Sequence, residues 1–268
     1  MSVSRREFLQ TGAMVMASAN AGMSAQGGGA PAQAAAARAL VFDTFGTVVD
    51  WRSSVAREVE ALAKRKGVAL DAAKFADAWR AGYGPSMNRV RSGELPWTKL
   101  DALHRMTLDK ILVDFKFTGL NEEEKDALNR AWHRLTPWPD AVSGLTRLKK
   151  KFIIAPLSNG NISLMTDLAK HSGLPWDVIL GAELVKHYKP DREVYQSAAD
   201  ILDLKPGDVM MVAAHLGDLR AAKQVGLRTA FVVRPKEYGP EGKPDLKADG
   251  IADISATDFN DLARQLDA

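Results

Sequence analysis

The feature that most constrains this chain is a short apolar run that stops on an acid: Ala39-Leu40-Val41-Phe42, then Asp43-Thr44-Phe45-Gly46-Thr47. A continuous apolar run of this length reads as a strand buried on both faces of a parallel sheet, since a half-exposed strand alternates instead. Similar runs recur at 152–157, 177–180, 209–214 and 229–233. Helical patterns fall between them at 162–171, 192–202 and 219–225, and another follows the last strand at 258–266. Strand and helix therefore alternate, which predicts a doubly wound, Rossmann-like α/β fold with right-handed crossovers.

One region breaks that alternation. Between residues 51 and 138 no strand pattern is visible, but Val55, Val59 and Leu62 fall at helical spacing, and amphipathic segments follow at 75–83, 100–115 and 122–135. Pro137-Trp138-Pro139 then stops the helical run and returns the chain to the sheet. The expected organisation is a leader and linker over 1–37, an α/β core over 38–50 and 140–268, and a helical cap inserted over 51–139. An insert after the first strand overhangs the carboxyl ends of the strands, where ligands bind in open α/β sheets.

Composition narrows the chemistry. The chain has 46% hydrophobic and 26% charged residues, an ordinary globular balance. Its formal charge of +3 is small and its basic residues are interleaved with acids, so nucleic acid is not implied. Lys149-Lys150-Lys151 reads as a solvated helix end. With no cysteine, thiol catalysis, disulfides and thiolate zinc sites are excluded, and any nucleophile must be Asp, Glu, Ser, Thr, Lys or His. At the N-terminus, Ser4-Arg5-Arg6-Glu7-Phe8-Leu9-Gln10 precedes an Ala/Met-rich run over 11–23 and a Gly/Ala-rich stretch through Ala37. That pattern resembles a twin-arginine export signal and leads to the expectation of a periplasmic protein. The apolar run is too short and too rich in alanine for a stable membrane span.

Polar residues cluster where the strands are expected to end: Asp43, Thr44 and Thr47; Ser158 and Asn159; Lys189 in Tyr188-Lys189-Pro190-Asp191; His215 and Asp218 in Ala213-Ala214-His215-Leu216-Gly217-Asp218. Each alone has a bland explanation, for Ser158-Asn159 and Asp218 could cap helices and Lys189-Pro190 could be a turn. Together, in this order and with these separations, they resemble the haloacid dehalogenase superfamily over nearly all of residues 39–268. The inserted helices resemble that family's cap domain.

The resemblance also points to a reaction. Phosphatases of the superfamily carry a second acid two residues after the nucleophile and further acids in the last motif; here those places hold Phe45 and Ala222. Magnesium favours near-octahedral oxygen ligation, and this edge offers few oxygens around a lysine, so no metal and no cofactor is expected. An aromatic residue at position 45 is what the (S)-2-haloacid dehalogenases have. A departing halide needs no proton, only an electropositive, partly apolar cradle. The resemblance places Arg80 of Trp79-Arg80 there, with Thr44, Phe45 and Asn159 also lining the substrate and halide site.

The resemblance implies that Asp43 attacks the halogen-bearing carbon, inverts it and forms an aspartyl ester. It further implies that Ser158 and backbone N–H groups hold the substrate carboxylate, that Lys189 keeps Asp43 ionised, and that Thr47 stabilises an oxyanion. Water then attacks the ester with help from Asp218 and His215, and Tyr195 matches a tyrosine of the family site. The partners are thus a short 2-haloacid and water, and a homodimer is left open. The sequence departs from the family at Ala213 and His215, where many members have serine and asparagine, and at Gly217. The resemblance implies that loss of the serine hydroxyl at 213 removes a hydrogen bond to Lys189, and His215 could replace it, handle the water, or be a structural spectator. His104, His133, His171 and His187 are read as structural. A phosphatase and a non-catalytic small-anion binder remain the alternatives.

Overall fold

A computed structural model describes residues 37–268. The expected leader therefore lies outside the described residues, apart from Ala37. In chain order the elements begin with β1 (Ala39–Phe42), β2 (Val49–Asp50), α1 (Trp51–Lys66), α2 (Ala72–Ala81), α3 (Tyr83–Arg91), α4 (Leu100–Asp114) and α5 (Glu122–Asn129). They continue with β3 (Thr136–Pro137), α6 (Ala141–Leu148), β4 (Ile153–Ser158), α7 (Ile162–Ser172), β5 (Leu180–Gly181) and α8 (Ala182–Val185). The chain closes with α9 (Arg192–Ile201), β6 (Val209–Ala213), α10 (Leu216–Gln224), β7 (Arg228–Val232), β8 (Ile254–Ala256) and α11 (Phe259–Gln265).

The main sheet has the order β5-β4-β1-β6-β7-β8, with every pairing parallel. All four residues of β1 are buried because the strand is covered on both faces, as its unbroken apolar run requires. β1 lies between β4 and β6, with Phe42 opposite both Pro156 and Val212. From β1 the chain builds outward through β4 and β5, then crosses back to β6 on the other side of β1. The carboxyl end of β1 is thus a topological switch point, the usual ligand crevice of such sheets.

Two sequence expectations are corrected here. The strand expected at 177–180 is reduced to Leu180–Gly181, because Asp177 satisfies Ile154 from both sides: its N–H donates to the Ile154 carbonyl, and its side chain accepts from the Ile154 N–H. The region expected to lack strands contains Thr136–Pro137, paired antiparallel with Val49–Asp50. Two residues are too few for an alternation to show, and β8 is similarly short. Between those paired segments, the chain is helical. Asp50, Asp71 and Asn121 cap α1, α2 and α5 with side-chain oxygens, and Asn121 forms a full capping box with Glu124.

The paired segments are tied to the core by Arg234, which follows β7. Its guanidinium makes a two-armed bond to Asp140 at 2.7 and 2.8 Å, and its Nε donates to the Thr47 carbonyl at 2.8 Å. Asp140 also accepts the Phe259 N–H. Arg234 is buried, so removing it strands a carboxylate with little solvent. Arg234→Met should lower stability by about 3 kcal/mol in urea unfolding followed by circular dichroism; an unchanged midpoint would show that the pair is dispensable.

Candidate active site

Asp43 is the first residue beyond β1, and its N–H still reaches the Val212 carbonyl of β6 at 3.0 Å. Its side chain is nearly enclosed and fully partnered. Oδ1 accepts from Lys189 Nζ at 2.9 Å; Oδ2 accepts from Thr47 Oγ1 at 2.7 Å and lies 3.0 Å from His215 Nδ1. Burial opposes ionisation, but the charges of Lys189 and His215 outweigh it and hold this carboxyl far below the usual range. Thr47 is fixed in turn by accepting the Ala214 N–H at 2.9 Å.

Lys189 comes from the loop before α9. Its ammonium bridges Asp43 and Asp218, the latter at 2.6 Å. Burial favours the neutral amine, yet Asp218 and Asp43 together hold the lysine protonated above its ordinary range. Its backbone is gripped on both sides: the N–H donates to Asn159 Oδ1 at 2.7 Å, and the carbonyl accepts from Arg91 of α3. Asp218, in the first turn of α10, has its second oxygen taken by the Tyr195 hydroxyl. Tyr195, expected at the substrate site, is fully buried and anchors Asp218.

His215 does not replace a bond to Lys189. Its Nδ1 faces Asp43, and its Nε2 lies 3.0 and 3.1 Å from the two oxygens of Glu237. Burial favours the neutral ring, but the two carboxylates push its pKa up to about 10. Glu237 is 1% exposed and also accepts from Trp51 Nε1 at 3.2 Å. It approaches Gly46, where an added Cβ would stand 2.0 Å from Glu237 Oε1 and φ is +91°. Glycine at 46 thus permits both the turn and the approach of the acid. Sequence reasoning missed Glu237 because it stands in a loop with no periodicity, where acids are ordinarily solvated.

Arg80 lies in the last turn of α2 in an aromatic setting. Its guanidinium carbon lies 4.0 Å from the centre of the Tyr83 ring and 5.6 Å from that of Trp51. Trp79 anchors the same turn through Nε1 to the His104 carbonyl. Phe45 contacts Tyr83 and Trp132 edge to face, at 6.4 and 5.7 Å. The Nη1 atom of Arg80 is buried with no partner among the described residues, which leaves a desolvated donor available to an anion. A cavity of about 560 Å³ opens onto Trp51, Arg80 and Tyr238. The buried Ser158 hydroxyl accepts the Gly160 N–H at 3.1 Å, and the buried Thr44 hydroxyl has no partner among the described residues.

Other histidines fall outside this network. His133 bridges Asp101 and Asp167. His104 stacks on Trp132 at 4.4 Å, and burial lowers its pKa to about 3. His187 lies 3.5 Å from Asp191. Asp43, His215 and Asp218 also offer ligand atoms within 4.8 Å of one another, close enough in principle for a cation. The donor set fits one poorly, because the Lys189 ammonium bridges the two carboxylates and position 45 supplies a ring rather than an oxygen.

A buried, ionised carboxylate bridged to a fixed ammonium at the switch point of a parallel sheet suits a hydrolase of the α/β class. The family model for haloacid dehalogenase-like hydrolases matches residues 37–226, and the chain belongs to that family. It is 32% identical to (S)-2-haloacid dehalogenase 4A of Burkholderia cepacia over 75% of this chain and 86% of that protein. Among solved structures it resembles a defluorinating L-2-haloacid dehalogenase with a TM-score of 0.84 and 52% identity, covering 87% of this chain and 96% of that one. A second L-2-haloacid dehalogenase matches with a TM-score of 0.82 and 48% identity, over 86% and 99%.

The two carboxylates around His215 make a testable prediction. A histidine whose folded pKa is raised contributes stability that is fully present below the unfolded value of about 6.5 and lost as pH rises through about 10. The His215 ring should remain doubly protonated at pH 8 in a nitrogen-15 NMR titration, and Glu237→Gln should lower its midpoint. A neutral ring at pH 7.5 in the unmodified protein would contradict the assigned network.

Proposed function

We propose that this protein is a hydrolytic dehalogenase that converts short (S)-2-haloacids to 2-hydroxy acids. The observations that carry this reading are an Asp43 carboxyl held ionised by Lys189 and His215, no acid two residues after it, and a buried Arg80 Nη1 that stands among aromatic rings with no partner among the described residues. A phosphate-ester leaving group requires a proton, whereas a halide leaves as a stable anion. The names of the relatives and of the similar structures support the same substrate class.

In this reading a carboxylate oxygen of Asp43 attacks the halogen-bearing carbon from the side opposite the halogen. The carbon–halogen bond breaks with its electron pair, the centre inverts, and an aspartyl ester remains. Arg80 Nη1 and the Asn159 amide N–H groups receive the halide, and Phe45 keeps the pocket dry. Ser158 and the backbone N–H groups of the 44–47 turn hold the substrate carboxylate. Lys189 orients Asp43 and maintains its charge, while Thr47 fixes the rotamer of the nucleophile. Water then hydrolyses the ester at the Asp43 carbonyl carbon, which returns the free enzyme.

The test is halide release from (S)-2-chloropropionate in the presence of chelator. Asp43→Asn should lower the rate by more than ~10⁴-fold, and Arg80→Lys should impair it because a point charge lacks the planar fork. Single turnover in oxygen-18 water should place label in the Asp43 carboxylate. Chelator-sensitive phosphate release from a model ester, without halide release, would instead favour the phosphatase reading.

The paired arginines of the leader support export to the periplasm. Cell fractionation should find the protein in the periplasm, and Arg5→Lys with Arg6→Lys should retain it in the cytoplasm. Unchanged export of that double variant would overturn this part of the reading.

A further inference from the structure

The second half-reaction needs a base, and the network leaves few groups free to serve. Asp218 is committed, with one oxygen on Lys189 and the other on Tyr195. Lys189 is a cation between two carboxylates and has no lone pair to offer. Thr47 spends its hydrogen on Asp43. His215 differs in that its side chain is 25% exposed, its Nδ1 stands 3.0 Å from Asp43 Oδ2, and its far nitrogen is held by a buried acid.

We propose that His215, oriented by Glu237, is the general base for hydrolysis of the aspartyl ester, and that alkylation of Asp43 itself switches this base on. The inference rests on the dehalogenase reading and adds to it an order of events.

In the free enzyme, the imidazolium lies between two carboxylates, which makes it a donor to Asp43 and no base at all. Forming the ester removes the charge on Asp43 but leaves that of Glu237. The support that Asp43 gave the cation disappears, and Nδ1 releases its proton to solvent. Nε2–H continues to donate to Glu237, which fixes the tautomer with the Nδ1 lone pair facing the ester. The other groups around the ring do not restore the lost support. Tyr238, whose hydroxyl lies 3.3 Å from Nε2, is held neutral by burial and by Glu237. Asp218, in the first turn of the helix that His215 precedes, has its charge paired with the Lys189 ammonium.

Water then attacks the Asp43 carbonyl carbon while one of its protons moves to His215 Nδ1. The tetrahedral centre collapses, its bond to the substrate oxygen breaks, and Nδ1 protonates that oxygen to give the 2-hydroxy acid. The second proton of the water passes from the new Asp43 carboxyl to Nδ1, which restores the carboxylate and the imidazolium. Over the cycle, one halide and one proton leave the site and one water is consumed, so the balance closes. A base that is protonated until the ester exists cannot activate water against the halide-bearing substrate.

Rapid-quench single turnover of the full enzyme with (S)-2-chloropropionate separates the steps by measuring chloride and the Asp43-linked ester together. His215→Gln should retain a stoichiometric chloride burst, accumulate the ester, and hydrolyse it at least ~100-fold more slowly. Glu237→Gln should shift the rising limb of the ester-hydrolysis pH profile to lower pH, because the ring keeps less support for its proton. That shift is a readout that a purely structural role would not move, and it also carries the test should His215→Gln fail to fold. Ester hydrolysis at the wild-type rate in His215→Gln, equal slowing of both steps without ester accumulation, or an unshifted profile in Glu237→Gln would overturn the assignment. A wild-type enzyme that gives neither chloride nor ester would instead overturn the dehalogenase reading.

Discussion

The buried ammonium of Lys189 between Asp43 and Asp218 is the interaction on which the site depends. Three chain segments distant in sequence contribute to it, and each would bury an uncompensated charge alone. Such a cluster is retained only where every member is satisfied. Thr47 and His215 therefore complete Asp43, Tyr195 completes Asp218, and Asn159 and Arg91 fix the lysine backbone. The contact from Arg91 is notable because it comes from the helical insert, so the insert helps position a charge in the sheet crevice as well as supplying Arg80.

The electrostatics divide the site into two compartments. Around Asp43, opposite charges alternate and are paired. Around Arg80, the neighbours are ring faces, and His104 is kept neutral by burial. A cation facing aromatic rings attracts a polarizable or small anion without offering it a proton. That division matches a reaction in which the nucleophile must remain charged and the leaving group needs only somewhere to go. His215 and Glu237 stand on the Asp43 side, and Trp51, which donates to Glu237 and faces Arg80, joins the two compartments.

Much of the fold was legible because the buried parallel strands are unbroken apolar runs and the helices between them have clear periodicity. Where side chains substitute for ladder bonds, as at Asp177, or where strands are two or three residues long, as at Thr136–Pro137 and Ile254–Ala256, no period could show. The site was legible where motifs sit at strand ends in a fixed order. Glu237 was not, since an acid in an aperiodic loop carries no local mark of burial, and the reach of Tyr195 to Asp218 required the spatial packing of α9 beside α10.

The sequence by itself determined the parallel α/β sheet, the helical insert after its first strand, the acid Asp43 at the end of that strand, and, through Phe45, the absence of an acid where a phosphatase has one. These are local properties: the period of an apolar run, the length of an interruption, the identity of a residue two places on. Only the tertiary structure decided what surrounds His215. His215 and Glu237 are separated by the whole of α10 and β7, and their pairing follows from the return of the loop after β7 over Gly46. Nothing in the residues flanking either one encodes that encounter.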